Sequence, residues 1–430
     1  MSVTQINSMM EEILNDDLPE VFTMGDDLAS RLMRCETIKS NTRATVFNLK
    51  VNPGGDFKGM DYDGAALPVG NHFDTKKPTI SSIGVVLGFN VPWLSNWATQ
   101  GKNLAIRNVL SEQMAATASI WKLYMEALLN AASNDGVLEV IKDITSAPTY
   151  VLENAPSGDG NPFGGYLLQP GGRYDVYADD LTTIRAGGPY RVDPDGGLDL
   201  EAGSPSGSAP TATMTATVTA DAVNDVIVAQ SLIGASINPL GHHITGLQSG
   251  TWQGLSRAKI YARARTVDGG TQKLDAKMWR DLMNKIEMFK GGPTNTKGLV
   301  PYMHHKQYQN YQNSAQDISQ IILGGVGPSA VNKKFDMSPG EGVLEGRQIM
   351  KGNHCDPTKA FAVDFSKFRW IETKKPSFLT NPEGGGYFFN VHDPTLGSAT
   401  ASQSWYFGGQ TNLGCVDVTG MGVITGLALP

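Results

Sequence analysis

Two short runs decide the fold: TVFNLKV at Thr45–Val51 and IGVVLGFNV at Ile83–Val91. In each, apolar residues fall at every second position, through Thr45, Phe47, Leu49 and Val51 and again through Ile83, Val85, Leu87, Phe89 and Val91. That is the period of a half-buried strand, and the spacing predicts that the two runs pair. Between them lies a long polar excursion, Asn52–Thr79, rich in glycine and aspartate. Structureless loops longer than ~12–15 residues are uncommon inside compact domains and are usually functional or disordered. A two-stranded ribbon is also marginal alone in water. Such an arm needs a surface outside its own domain, and another copy of the same chain is the first candidate. Phe57, Met60, Tyr62 and Leu67 are its expected apolar anchors, with Asp56, Lys58, Asp61 and Asp63 as the polar rim.

After the arm comes the clearest helix, predicted over Leu104–Asn134 and about 45 Å long at 1.5 Å per residue. Leu110, Met114, Ala118, Trp121, Met125 and Leu128 step by three or four and share one face. Leu110, Met114, Trp121 and Leu128 are the expected buried stripe of this spine. Gly136 and Pro148 end it. Upstream, residues 4–33 read as helical, with Ile6, Met10, Ile13 and Leu14 as a stripe and Leu28 and Leu32 beyond Pro19.

From Pro148 to about Ala235 short strands alternate with Gly/Pro/Asp/Ser clusters. The expected strands are Tyr150–Leu152, Tyr166–Leu168, Arg173–Tyr177, Leu198–Leu200, Thr211–Thr219 and Asp225–Val228, a small sandwich or barrel. A helix follows at Asp275–Phe289, with Asp275 as N-cap and Met278, Leu282, Ile286 and Phe289 facing inward. A second helix is predicted at His304–Ile318. Further strands are predicted at Ala360–Phe365, Trp370–Glu372, Gly386–Val391, Ser404–Phe407, Gly414–Val418 and Val423–Leu427.

The chain has 430 residues, enough for two to four domains. Charged residues make up 18%, below the usual ~25%, and glycine is abundant at 49 residues. The formal charge is -7, and the 35 Lys and Arg residues form no basic run. Tight nucleic-acid binding needs such a patch, so only sliding contact with DNA along a mildly acidic surface fits. Three scattered cysteines, Cys35, Cys355 and Cys415, make no disulfide framework and are expected to be free thiols without metal. Acidic residues Glu11, Glu12, Asp16 and Asp17 stand where a signal peptide would be positive. No window approaches ~18 consecutive apolar residues. A soluble protein made inside the cell is expected.

Catalytic motifs are weak. The pairs His242-His243 and His304-His305 diverge as neighbours must, and make no two-ligand clamp. Asn353–Asp356 has ligand residue types but no second half of a zinc motif. Gly324–Ser329 lacks the Gly-Lys-Ser/Thr ending of a phosphate loop. Asp193–Gly196 suits a β-turn better than a calcium loop. Asp179-Asp180 is the sole suggestion of a hydrolase acid pair. No catalytic, cofactor or metal residue is assigned. Most tryptophans sit in apolar runs and read as core, whereas Trp252, in GTWQG, suits a partly exposed contact.

The element order resembles the major capsid proteins of tailed double-stranded DNA bacteriophages. Local text resembles them too: ALPVG at 66–70, GYLLQPGGRYDVY at 165–177, GTWQGLSR at 250–257, and Lys351–Phe365 leading into final strands. The resemblance implies an α+β fold of the Hong Kong-phage type. Its parts would be an N-terminal arm (1–41), an extended loop (42–92), a peripheral domain with the spine (93–147), an inserted small β-module (148–235), an axial domain (236–385) and terminal strands returning to the peripheral domain (386–430). It also implies hexamers and pentamers closing an icosahedral shell around DNA, formed in the bacterial host cytoplasm. Partners would be other copies, a separate scaffolding protein, a portal and a cement protein, with no membrane. The alternative, a fibre or receptor-binding β-protein, predicts trimers and exposed aromatics but leaves the spine unexplained.

Overall fold

A computed structural model of the chain describes residues 27–40, 44–52, 54, 72–93, 109–154, 165–200, 210–290, 296, 298–313, 343–344, 347–381, 388–392 and 399–428. Three larger sheets share one hydrophobic core that runs from Leu28 to Leu427.

The first sheet is organised by one 17-residue strand, Ala399–Cys415. One side carries Phe368–Phe378 and Phe388–His392; Ile83–Pro92 pairs antiparallel with it from Thr411↔Ile83 to Ser402↔Pro92. Glu36–Lys39 adds a parallel edge. Backbones close in on the middle of the long strand from both sides. A Cβ at Gly408 would sit 2.4 Å from the Val85 carbonyl oxygen, and one at Gly409 2.8 Å from that of Lys374. Ser404–Phe407 and the start of Gly414–Val418, expected as separate strands, lie on this one strand on either side of these glycines.

The expected pairing of the two opening runs is corrected. Ala44–Val46 pairs with Thr79–Ser81, and Leu49–Asn52 with Asp74–Lys76, making a narrow antiparallel ribbon. Ile83–Pro92 belongs instead to the first sheet. The parity of the sequence explains the switch: Ile80 and Ile83 are three apart, so both can face a core only if the chain breaks at Ser82. Within each run the alternation holds, with Thr45, Phe47, Leu49 and Val51 half-buried between exposed neighbours.

The second sheet has the order Tyr190–Arg191, Arg173–Tyr177, Val226–Ala229, Val137–Ser146, Thr149–Asn154, Thr211–Thr213, Leu198–Asp199. It closes on itself. Val192 bridges Met214, the Asp193 N–H donates to the Thr213 carbonyl at 2.9 Å, and that of Thr215 to Arg191 at 2.8 Å. Three tyrosines fill this small barrel, Tyr150, Tyr174 and Tyr190, each at most 3% exposed. Their hydroxyls accept backbone N–H groups of Val218, Gln169 and Thr219. These bonds explain why the predicted strand Thr211–Thr219 stops early: its last amides serve the tyrosines. Val137–Ser146 is a strand beyond those expected, and Tyr166–Leu168, expected as a strand, is a turn.

The third sheet has the order Arg265–Asp268, Gly422–Thr425, Ala360–Val363, Val300–His304, Met350–Gly352. The strand Gly422–Thr425 therefore lies here, not in the first sheet with the other terminal strands. Around the sheets lie the α-helices α1 (Asp27–Met33), α2 (Val109–Asn130), α3 (Leu240–His243) and α4 (Ala276–Lys290). Helix α4 packs on the third sheet, its first turn capped by Asp275, whose Oδ1 accepts the Met278 N–H at 2.7 Å. Met278, Trp279, Leu282, Met283 and Ile286 are buried. Phe289, expected on that face, is 40% exposed and lies beneath the Arg265 guanidinium at 4.1 Å. Residues 305–313 are helical, within the second helix expected.

Candidate functional site

Three attachments meet at the spine, α2. Its predicted start, 104–108, lies outside the described residues, and its end comes at Asn130, four residues early. Trp121 and Leu128 are 3% and 2% exposed, with Met125 and Leu129 fully buried beside them. Trp121 meets Phe407 of the long strand edge-on at 5.8 Å between ring centres. Leu110 and Met114, expected to be buried, are half-buried, because the packing concentrates on the second half of the helix.

Two polar side chains on that half bind other elements. Glu126, 1% exposed, accepts the α1 amides of Ala29 at 2.5 Å and Leu28 at 3.4 Å, and the Asn130 amide at 2.9 Å. A carboxylate meeting free N–H groups at the start of a helix satisfies those donors and their partial positive charge. Asn130 in turn accepts the Tyr302 hydroxyl at 2.7 Å, tying the spine to the third sheet.

The base of the arm ribbon is anchored as firmly. The Thr79 N–H donates to Gln253 at 2.9 Å, Asn412 Nδ2 to the Ser81 carbonyl at 2.5 Å, and Thr373 Oγ1 to Ser82 Oγ at 2.9 Å. Gln253 sits at the tip of the hairpin Thr251–Ser256. Its φ of 50° and that of 79° at Gly254 put both turn residues in the left-handed region, as a type I′ turn requires. Trp252 is fully buried, which corrects the exposed reading. Its indole N–H donates to His243 Nδ1 at 3.1 Å. His243 therefore carries its proton on Nε2, which faces the Leu413 carbonyl at 3.2 Å. Burial pushes this imidazole well below its usual pKa, so it is held neutral.

Burial has the same effect on three further histidines: His242, His304 and His354 are each pushed down to about 4. Cys355 and Cys415 are buried and Cys35 half-buried, all three as free thiols whose pKa burial raises. Burial tends to raise the Asp356 pKa, but Lys359 at 2.7 Å and donors from Thr358 outweigh it and hold the group ionised. Asp180 accepts the amides of Thr182 and Thr183, both at 2.8 Å, and so builds a turn. Asp193 does likewise, accepting the Asp195 N–H at 3.1 Å. Among the described residues no group of three or more His, Cys, Asp or Glu is arranged to hold a metal. No described helix is long and apolar enough to cross a membrane.

Asp56, Phe57, Lys58, Met60, Asp61, Tyr62, Asp63 and Leu67 lie outside the described residues, as does Gly324–Ser329. Glu126, Asn130, Gln253 and Asn412 went unassigned in the sequence. Glu126 alone carried a signal, as an acid embedded in the apolar run YMEALL.

No protein-family model and no curated protein sequence matches the chain. Solved structures do. The chain is similar to a subunit of the cyanophage A-1(L) capsid asymmetric unit, with a TM-score of 0.54 at 12% identity over 99% of both chains. A chain of the native GTA particle capsid gives a TM-score of 0.48 at 7% identity, covering 98% of this chain and 96% of that one. One of the capsid of Myoviridae phage XM1 gives 0.46 at 8%, covering 99% of both. The first of these, end to end, carries the assignment: the chain has the α+β fold of the Hong Kong-phage-type major capsid proteins.

Proposed function

We propose that this chain is the major capsid protein of a tailed double-stranded DNA bacteriophage, and that its copies form hexamers and pentamers that close an icosahedral shell around the genome. One observation carries the reading: the fold corresponds over 99% of both chains to a subunit of a capsid asymmetric unit, with no large part left over on either side. The internal build supports it. An arm ribbon whose base is fixed by Gln253, Asn412 and Thr373 is braced to project its far end onto another molecule. In this reading 52–79 lies on a neighbouring copy, with Phe57, Met60, Tyr62 and Leu67 as anchors.

The role is structural rather than enzymatic, and the net charge of -7 suits an inner surface that DNA touches without sticking. A separate scaffolding protein, a portal and a cement protein complete the assembly, which takes place in the bacterial cytoplasm. The test is expression of the chain with its phage's scaffolding protein, followed by negative-stain microscopy. Closed shells or capsomers are expected. Thin trimers or featureless monomers would remove the proposal.

A further inference from the structure

Between the arm base, the turn that ends α2 and the third sheet runs an open groove of about 1010 Å³. Arg257 lines it together with the apolar Ile80, Leu247 and Val423; His242 there is neutral and Lys359 is paired with Asp356 at 2.7 Å, and no lining residue among those described is acidic. This stands against a chain whose 42 acidic residues outnumber its 35 lysines and arginines. Arg257 is only 4% exposed. Its Nη2 donates to the His242 carbonyl, whereas Nη1 is buried without a hydrogen-bond partner among the described residues. The Ser236 hydroxyl and Gln253 Oε1, which belong to the same lining, are also buried without one. Among the described residues no acid offsets the charge, and burial pulls the guanidinium pKa down to about 10. A buried cation with no counter-charge is strongly disfavoured until an anion joins it. The chemistry of the groove therefore selects an anionic segment with apolar side chains.

One stretch of the chain has that chemistry. Residues 1–26 contain Glu11, Glu12, Asp16, Asp17 and Glu20 and no lysine or arginine, and Ile13, Leu14 and Leu18 are interspersed with these acids. A helix about 10 Å wide takes roughly 400 Å³ per 5.4 Å turn. The groove thus has room for two to three turns, about the eight residues 11–18 that precede Pro19. Reach is no obstacle. The first turn of α1 is held by Glu126, and Ala132, six residues further along, lines the groove. Six residues at helical rise span about 9 Å, which three or four extended residues cover. We propose that this groove binds the chain's own acidic N-terminal segment, with a carboxylate of 11–20 paired to Arg257.

Cross-linking of the dilute, unassembled subunit tests this independently of whether the chain forms shells. In a Cys35→Ser background, Asp17→Cys is combined with Thr251→Cys on the groove wall and treated with a short bis-maleimide. A link at monomer mass that joins the two peptides is expected. Arg257→Gln should lower its yield at least fivefold. So should Asp16→Asn with Glu20→Gln, which leaves the groove itself untouched. A link found only at dimer mass would assign the groove to a second copy and overturn the proposal. Absence of a link, or a yield indifferent to both sets of substitutions, would overturn it as well.

Discussion

At the scale of single residues, the spine junction depends on one carboxylate and one indole. Glu126 is buried, and its oxygens are shared among two α1 amides and Asn130. Glu126→Ala would leave buried donors unsatisfied, each costing about 1–3 kcal/mol. The α1 amides of Leu28 and Ala29 are therefore expected to lose hydrogen-exchange protection by at least tenfold while the barrel amides keep theirs. Unchanged protection in α1 would show that Glu126 does not hold the helix. Trp121 contributes by volume: removing its ring from between α2 and Phe407 should cost ~3–5 kcal/mol. Trp121→Ala is expected to yield insoluble or unassembled subunits, and wild-type yields of shells would take the spine out of the account of assembly. The burial of Trp121 and Leu128 was legible from their spacing alone. The half-exposure of Leu110 and Met114 was not, because a helical stripe says which side faces inward but not how far along the helix a neighbour extends.

At the scale of elements, what the sequence disclosed was period, and what it withheld was partner. The alternation at 45–51 and 83–91 is real in both runs, yet one residue, Ser82, sends them to different sheets. Barrel closure was equally hidden, since it rests on the Val192–Met214 bridge between residues that no local pattern links. Glycine misled the reading at 408–409, where it marks close approach of two flanking backbones inside one strand rather than a turn. The arm sets the test at this scale. Ordering a loop costs ~1–2 kcal/mol per residue, and a few apolar anchors at ~25 cal/mol per Å² do not cover that. In the proposed shell, backbone pairing with a neighbouring copy adds to it. Replacing Gly55–Gly70 with a short Gly-Ser turn leaves Leu49–Asn52 and Asp74–Lys76 to pair. That variant should fold, with an unaltered circular dichroism spectrum, and fail to close shells, because closed assemblies repeat each weakened contact many times. Normal shells from it would mean that the arm does not bind the neighbour.

At the scale of the whole molecule, the histidines set how the fold meets acid. Four of the seven, His242, His243, His304 and His354, are held neutral by burial. Each has a lower pKa folded than unfolded, about 4 against 6.5 for three of them. Between those values the unfolded chain binds more protons than the folded one. The contribution of those three is complete above pH ~6.5 and is lost as the pH falls towards 4, at up to about 3 kcal/mol each, and His243 acts in the same direction. Glu139 works in the opposite sense. It is fully buried in the barrel, and burial raises its pKa well above the usual carboxylate value, so its charge weakens the fold near neutrality and that penalty fades in acid. One group cannot cancel four. These histidines are spread over the arm-base junction and the third sheet, which share a continuous core, so their protonation should act on the molecule as a unit. The thermal midpoint of the unassembled subunit is expected to fall between pH 7.5 and 5 by an amount on the order of 10 °C. Glu139→Gln, which keeps an acceptor for the Leu167 amide, should raise the midpoint at pH 7.5 and steepen the relative fall. A midpoint that is flat from pH 7.5 to 5 would mean that the four rings are already protonated or exposed, and the hydrogen bond from Trp252 to His243 would then be the first contact to reconsider.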